Sequence, residues 1–300
     1  MKYLITGGAG FIGSHLTEFL VRNKDHVVVV DNLKGGKLEN LRSVINKIEF
    51  HELDILNFNE MKKLAKDVDG IFHQAGLTSV QESLLKKKKY FDVNVTGTEN
   101  MLKLAKEFGL KVVFASSASV YGNPRVVPIK ENFTRKPLNP YGESKMKAED
   151  LILKYAQTGL SAIILRYFNV YGPRQNIAYA GVIAKLLDNI KNKTPMMIHG
   201  DGLQTRDFVH VEDVARANFL AMKSKVGHAI VNIGSGIPVS INDMANMIIQ
   251  ASDSKINLIH DDAQPGDIRF SHADIELAKD LFDWKPKTDL KAWLNSIINN

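Results

Sequence analysis

Residues 7–13 read Gly7-Gly8-Ala9-Gly10-Phe11-Ile12-Gly13, between a short apolar stretch, Lys2 to Thr6, and a segment with apolar residues at helical spacing. Phe11, Ile12, Leu16, Phe19 and Leu20 fall on one face of a helix running to Arg22. His26 to Val30 is a β-branched run, the pattern of a strand buried on both faces, and Asp31 closes it. Strand, glycine turn, helix, strand and acid in that order leave few folds open. The rhythm then continues. Strands are expected at Lys47 to Glu52, Gly70 to His73, Lys111 to Ala115 and Ser161 to Arg166. Helices are expected at Asn57 to Lys66, over Val80 to Phe108 with an interruption near Asp92-Val93-Asn94, and at Pro140 to Gln157. Such alternation implies a parallel sheet covered on both faces.

After about Gly172 the rhythm loosens. Helices are read at Tyr179 to Lys191, Val211 to Lys223, Asn242 to Ala251 and Asp274 to Leu281. Strand-like pieces flank a turn at Gly200-Asp201-Gly202, and Ala229 to Ile233 is a strand able to return to the sheet. Pro265-Gly266 is a further turn. The fold class is therefore α/β: a Rossmann-type, doubly wound parallel sheet with a smaller C-terminal α/β lobe. The expected boundaries are 1–172 for the sheet domain, with 206–234 returning to it, and 173–205 plus 235–300 for the lobe.

The 300 residues contain no Cys, which excludes disulfides, thiolate metal sites and Cys nucleophiles and fits a cytoplasmic protein. No apolar run is long enough to span a bilayer, and glycines interrupt Met1 to Ile5 at once, so neither membrane nor secretory signal is expected. No metal site is read. The net charge of +6 includes the run Lys86 to Lys89, without interleaved aromatics, so nucleic acid is the weaker expectation.

A glycine turn between strand and helix lets the backbone approach a pyrophosphate, whose charge the helix N-terminus stabilises. The candidate contacts are Gly7, Gly10, Phe11, Ile12 and Gly13. Asp31 is placed to accept both ribose hydroxyls and would repel a 2′-phosphate, which favours NAD over NADP. Asp54, at the end of the third strand, is either an adenine contact or a turn former. Tyr141 and Lys145 are four residues apart, on one face of a helix. They are either a surface pair or a proton acceptor, in which a nearby cation would lower the phenol from its ordinary pKa of about 10.

Together with Ser116-Ser117-Ala118-Ser119-Val120-Tyr121-Gly122, these segments resemble an extended short-chain dehydrogenase/reductase. The resemblance runs nearly the whole chain. It is closest to the NAD-dependent epimerase/dehydratase family, specifically nucleotide-sugar epimerases of the UDP-glucose 4-epimerase type. His73-Gln74-Ala75-Gly76, Asn94 to Thr98, Arg166 to Arg174, Gly200 to Val209 and Pro265-Gly266-Asp267 carry it further.

The resemblance implies that Tyr141 is the base, that Lys145 holds the nicotinamide ribose and lowers the pKa of Tyr141, and that Ser117 is the catalytic hydroxyl. It implies NAD contacts from Asn32, Ile55, Gln74, Ala75, Gly76, Asn94, Ser116 and Tyr167. It implies UDP-sugar contacts from Thr78, Asn169, His199, Arg206 and Asp267. His199 stands where an aromatic usually stacks on uracil. An ungapped count puts Ser271 where some epimerases carry a bulky Tyr, so N-acetylated sugars are expected beside UDP-glucose and UDP-galactose. Two positions depart from the pattern: Gln264 replaces an Arg, and Thr78 stands where longer relatives have Lys. Dehydratases and decarboxylases of similar sequence place acids after the serine, where this chain has Ala118 and Ser119. That narrows the expected reaction to 4-epimerisation through a transient 4-keto sugar. A UDP-uronic acid 4-epimerase, with Thr78, Ser79 and Arg174 near the carboxylate, and a non-enzymatic UDP-sugar/NAD binder remain as alternatives. By analogy with the family, the helices of 80–108 and 140–157 are expected to build a homodimer.

Overall fold

The computed structural model describes residues 1–175, 181–263 and 268–299. β1 (Lys2–Thr6) leads through the glycine turn into α1 (Phe11–Arg22) and β2 (His26–Asp31). β3 (Glu49–Glu52), α2 (Phe58–Ala65) and β4 (Gly70–His73) continue the alternation. α3 (Val80–Leu85) and α4 (Lys87–Phe91) precede a π turn at Asp92–Thr96 that runs on into α5 (Gly97–Phe108). The interruption read at Asp92-Val93-Asn94 is therefore a one-turn widening of the helix. β5 (Lys111–Ser117), α6 (Pro140–Ala156) and β6 (Ala162–Tyr167) complete the regular part.

The strands β10 (His228–Ile233), β6, β5, β4, β1, β2 and β3 lie side by side in that order, all parallel. The strand expected at 229–233 does return to the sheet, on the outer side of β6. Chain direction of travel reverses between β1 and β4, so the crevice at the C-terminal ends of these two strands is a switch point, the usual ligand position of an open α/β sheet. Alternation along the strands divides the core in two. Tyr3, Ile5, Val27 and Val29 face α1 and α8 (Val211–Lys223). Leu4, Val28 and Val30 face the opposite layer, with Met61 of α2, Met101 of α5 and Ile152 of α6. Burial on both faces explains why β2 is a continuous β-branched run; each fully buried Val contributes about 1.5–3 kcal/mol.

The lobe is built from shorter pieces. β7 (Asn169–Tyr171), β9 (Thr205–His210), β11 (Pro238–Ser240) and β13 (Phe270–Ser271) form one small sheet centred on β9. β8 (Met196–His199) pairs with β12 (Leu258–Asp261). α7 (Val182–Asn192), α9 (Ile241–Ser252) and α11 (Leu290–Ile298) surround a core that includes Leu186, Met196, Phe208, Ile248 and Leu294. α10 (Glu276–Phe282) packs instead on the large sheet, where Phe282 joins Trp284. α7 begins at Val182, whereas the sequence pattern places its start at Tyr179, which lies outside the described residues. Pro265-Gly266, Gln264 and Asp267 also lie outside them. Among the described residues no helix is long and apolar enough to cross a membrane.

Candidate active site

Two close approaches fix the glycine turn. Gly7 has φ +72°, and a Cβ there would lie 2.6 Å from the Ala75 nitrogen. A Cβ on Gly13 would lie 2.0 Å from the Gly7 carbonyl oxygen. No side chain caps α1 at Gly10 and no acid lies in its first turn, so the N-terminal N–H groups of Phe11, Ile12 and Gly13 carry uncancelled positive character. Asp31, buried at the end of β2, braces the turn: Oδ2 accepts from the Ala9 N–H at 3.0 Å and Oδ1 from the Leu33 N–H at 2.9 Å. Burial raises its carboxyl pKa, while the backbone bonds from Leu33, Ala9 and Gly10 oppose the rise. An uncapped helix end, a methyl-excluding turn and a carboxylate beside it fit a dinucleotide.

The rest of the predicted cofactor contacts divide into two groups. Asn32 donates to Asp54 at 2.8 Å, with Lys34 3.3 Å from the same carboxylate, so these groups form one unit at the adenosine end. Burial would raise the carboxyl of Asp54, but the bonds from the Leu56 N–H, Asn32 and Lys34 hold it below its usual range. Ile55 is buried against Gly97. Ala75 donates its N–H to Thr6 Oγ1, and a Cβ on Gly76 would meet Asn94 and Lys145 at 3.1 and 3.2 Å.

Asn94, turned inward by the π turn, brackets Leu77 with its side-chain amide and donates to Ser144 at 2.9 Å. His73 is clamped between Thr6 and Thr98 and is held neutral, with burial and the charge of Lys145 pushing it to about 3.

Two predicted contacts have their hydroxyls committed elsewhere. Tyr167 donates to Asn218 at 2.9 Å, and Gln74 donates to the same oxygen at 2.8 Å. Ser116 donates to the buried Glu149 at 2.6 Å. Ser116 points with its register partner Arg166 to the α6 face, and Tyr167 points to the α8 face, so the two hydroxyls are bonded in opposite layers.

α6 starts with Asn139 capping the Gly142 N–H at 2.9 Å and Pro140 in its first turn. This sets Tyr141 and Lys145 on the face toward the end of β5. Lys145 is 4% exposed, donates to the Ala115 carbonyl at 2.8 Å and lies over the Phe114 ring. Burial lowers its ammonium to about 8, and the charge of Glu149 opposes the fall. Burial pushes the Tyr141 phenol up, against a hydrogen bond with Ser117. The expected lowering by Lys145 is overridden: desolvation dominates, and the Lys145 ammonium is aimed at a carbonyl rather than at the phenol. Ser117 also accepts from the Ser119 N–H at 3.2 Å.

A cavity of about 440 Å³ opens between α7, β8 and β9. Asn169, His199 and Arg206 line it, together with Lys185, Gln204 and Phe208, which sequence reasoning missed. Asn169 donates to the Asp207 carbonyl at 3.0 Å, and Arg206 to the carbonyls of Thr205 and Ile268. His199 is half-exposed, 3.8 Å from Asp261. Thr78 is exposed in the segment before α3, away from this cavity. Ser271 is buried in β13, paired with Arg206, and is not among the lining residues. Among the described residues one grouping, His15, Glu18 and Glu212, has metal-ligand spacing, but Arg22 and Arg174 already pair with its acids.

A methyl-excluding glycine turn, an acid closing β2 and a Tyr–Lys–Ser cluster over one crevice are the parts of a short-chain-dehydrogenase type of site. The chain belongs to the NAD dependent epimerase/dehydratase family, whose model matches residues 3–234. It is 41% identical over 302 residues to a provisionally described UDP-glucose 4-epimerase of Methanocaldococcus jannaschii, covering 99% of this chain and 97% of the relative. The UDP-glucose 4-epimerase of Thermotoga maritima, solved with UDP-glucose, superposes with a TM-score of 0.94 at 34% identity, covering 100% and 98% of the two chains. The UDP-N-acetylglucosamine 4-epimerase of Methanobrevibacter ruminantium, solved with UDP-N-acetylmuramic acid, also gives 0.94 at 34%, covering 99% and 97%.

Proposed function

We propose that this chain is a UDP-hexose 4-epimerase that interconverts UDP-glucose and UDP-galactose with NAD as a resident cofactor. The observation that carries the reading is the composition of the reactive cluster. Tyr141, Ser117 and Lys145 meet at the crevice, and Ser117 is followed by Ala118 and Ser119 rather than by acids. Such a cluster can move one proton but cannot expel a hydroxyl. NAD, when bound, supplies the acceptor that takes the hydrogen of carbon 4 and gives it back.

Tyr141 takes the proton of the carbon-4 hydroxyl, and Ser117 shortens the proton path. Lys145 holds the ribose hydroxyls on the nicotinamide side. Because burial raises Tyr141, the phenolate needs positive charge beyond that of Lys145, and a cationic nicotinamide held by Lys145 would supply it. Gly7, Gly10 and Gly13 with Phe11 and Ile12 cradle the pyrophosphate; Asp31, Asn32 and Asp54 take the adenosine. The return of hydrogen to the opposite face requires the sugar to turn while UDP stays anchored. Arg206, Asn169 and His199 supply that anchor in the cavity between α7 and β9, with Asp267 as a further nucleotide contact.

UDP-N-acetylhexosamines are a second substrate class, supported by the likeness to the M. ruminantium enzyme. The uronic acid reading is weaker. Arg174 is spent on Glu18, the Asn40 carbonyl and His15, and Ser79 caps α3. The chain acts as a cytoplasmic homodimer, built on the helices of 80–108 and 140–157. It divides into a cofactor domain on the large sheet and a UDP-sugar lobe; α10, expected in the lobe, packs on the large sheet, and β7 and β9, expected with the sheet domain, pair in the lobe's small sheet. The test is incubation with single UDP-hexoses and UDP-N-acetylhexosamines without added reductant, followed by chromatography. Formation of the 4-epimer supports the reading; no epimer from any of them sinks it.

A further inference from the structure

Behind the reactive cluster lies a polar cluster that none of these roles uses. Glu149 is fully buried, one turn beyond Lys145 on α6. Its Oε1 accepts from the Ser116 hydroxyl at 2.6 Å and from Arg166 Nε at 2.9 Å. Its Oε2 accepts from Arg166 Nη2 at 2.6 Å and from Arg135 Nη1 at 3.2 Å. Arg166, 1% exposed in β6, stands 4.7 Å from the centre of the Tyr121 ring. Its Nη1 donates to the Tyr121 hydroxyl at 2.8 Å and to the Glu131 carbonyl at 3.0 Å. Tyr121 donates in turn to Asn232 of β10 at 2.6 Å. One carboxylate and one guanidinium thus tie together β5, α6, β6, β10 and the turn after Ser117.

A buried pair of this kind is costly. Desolvation removes several kcal/mol per ion, and well-packed apolar residues of similar volume often give equal stability. Its position suggests a use other than stability. Ser116 precedes Ser117, and successive strand residues point to opposite faces, so the bond from Ser116 to Glu149 fixes the direction of Ser117. Glu149 also lies four residues from Lys145, on the same helix face.

We infer that Glu149, gripped by Arg166, is a positioning residue of the active site. It locks the Ser117 end of β5 to the helix that carries Tyr141 and Lys145, and its carboxylate is the counter-charge of the Lys145 ammonium. Around Lys145 stand Tyr141 on α6, neutral His73 from β4, the Phe114 ring of β5, Asn94 of the π turn, and Glu149. Glu149 is the anion of this group, and it opposes the fall that burial imposes on Lys145. Behind it, Arg135 and Arg166 face the carboxylate rather than the amine, and Tyr121 and Glu131 face Arg166.

The inference rests on the epimerase reading only for its activity readout. The primary test is an NMR titration of 15N-lysine-labelled protein, with Lys145 assigned from the Lys145→Met spectrum. The wild-type midpoint is expected near 8. In Glu149→Gln it is expected to drop by about one unit, and the alkaline limb of kcat should move with it. Should that variant fail to fold, Glu149→Met with Arg166→Met removes both ions at once and is expected to give a smaller shift in the same direction, because loss of the more distant Arg166 cation offsets part of the loss of the anion. A midpoint that stays near the wild-type value in whichever of the two folds overturns the inference, because a purely structural pair would leave it in place. If the wild type turns over no UDP-sugar, the epimerase reading falls while the NMR midpoint still decides this one.

Discussion

The crevice over the large sheet and the cavity of the lobe are built to different tolerances. In the crevice, backbone meets backbone with no room for a methyl group at Gly7 or Gly13, and the reactive lysine is 4% exposed. In the cavity, the walls are side chains of α7 and of three- to six-residue strands, and His199 is half-exposed. A parallel sheet buried on both faces holds its strand ends rigidly; short strands around one central strand do not. On the proposed reading, the chemistry falls where the packing is tightest and the choice of substrate where it is looser. Substitutions in the crevice should therefore act on kcat or on NAD, and substitutions in the cavity on KM.

The largest expected effect lies in the crevice. Tyr141→Phe should lower kcat by about 1,000-fold while bound NAD, released by denaturation and quantified, stays near one per chain. A loss under tenfold would remove the base from the account. Gly13→Ala places a methyl against the Gly7 carbonyl; an overpacking penalty of about 1–3 kcal/mol converts to roughly 5- to 150-fold weaker NAD binding by titration. Unchanged affinity would mean that the turn is softer than the comparison holds.

In the cavity, Arg206→Ala should raise KM by roughly tenfold or more, the value of a charge-assisted bond, with kcat changed only a few-fold. A fall in kcat with KM constant would erase the distinction between the two regions. His199→Ala should raise KM by about threefold, as one stacking contact allows.

The smallest effect concerns the contact between α1 and α8. The bond with His15, against the rise that burial imposes and helped by the Arg22 charge, holds Glu212 at about 2. A carboxyl held below its unfolded value stabilises the fold above that value and loses the contribution on acidification. The melting temperature should therefore fall between about pH 4.5 and pH 2, and less steeply in Glu212→Gln.

How far these features could be read in advance follows from range. The glycine turn, the run into Asp31 and the break at Asn94 are local; the first two appear in the structure as the opening of α1 and as β2, and the expected break is a π turn. Asn218, which binds Gln74 and Tyr167 together, comes from 144 residues beyond Gln74, and no local pattern connects them. The direction of the Tyr141 shift was not legible either, because spacing shows that a lysine is near but not that burial outweighs it. Glu149 and Arg166 did leave a signal: an acid on the buried face of α6, four residues from Lys145, and a charge inside an otherwise apolar strand. In the lobe, α11 went unread because its apolar residues gain meaning only from the partners they reach; Trp293 stacks edge-on against Tyr171.

The most direct test of the central claim is the equilibration of pure UDP-galactose with the purified protein, without added reductant, followed by chromatography and set beside Tyr141→Phe. The account predicts UDP-glucose from the wild type, no net release of NADH, and almost none from the variant. Equal conversion by both proteins, or release of a keto sugar or a dehydrated sugar in place of the epimer, would contradict it.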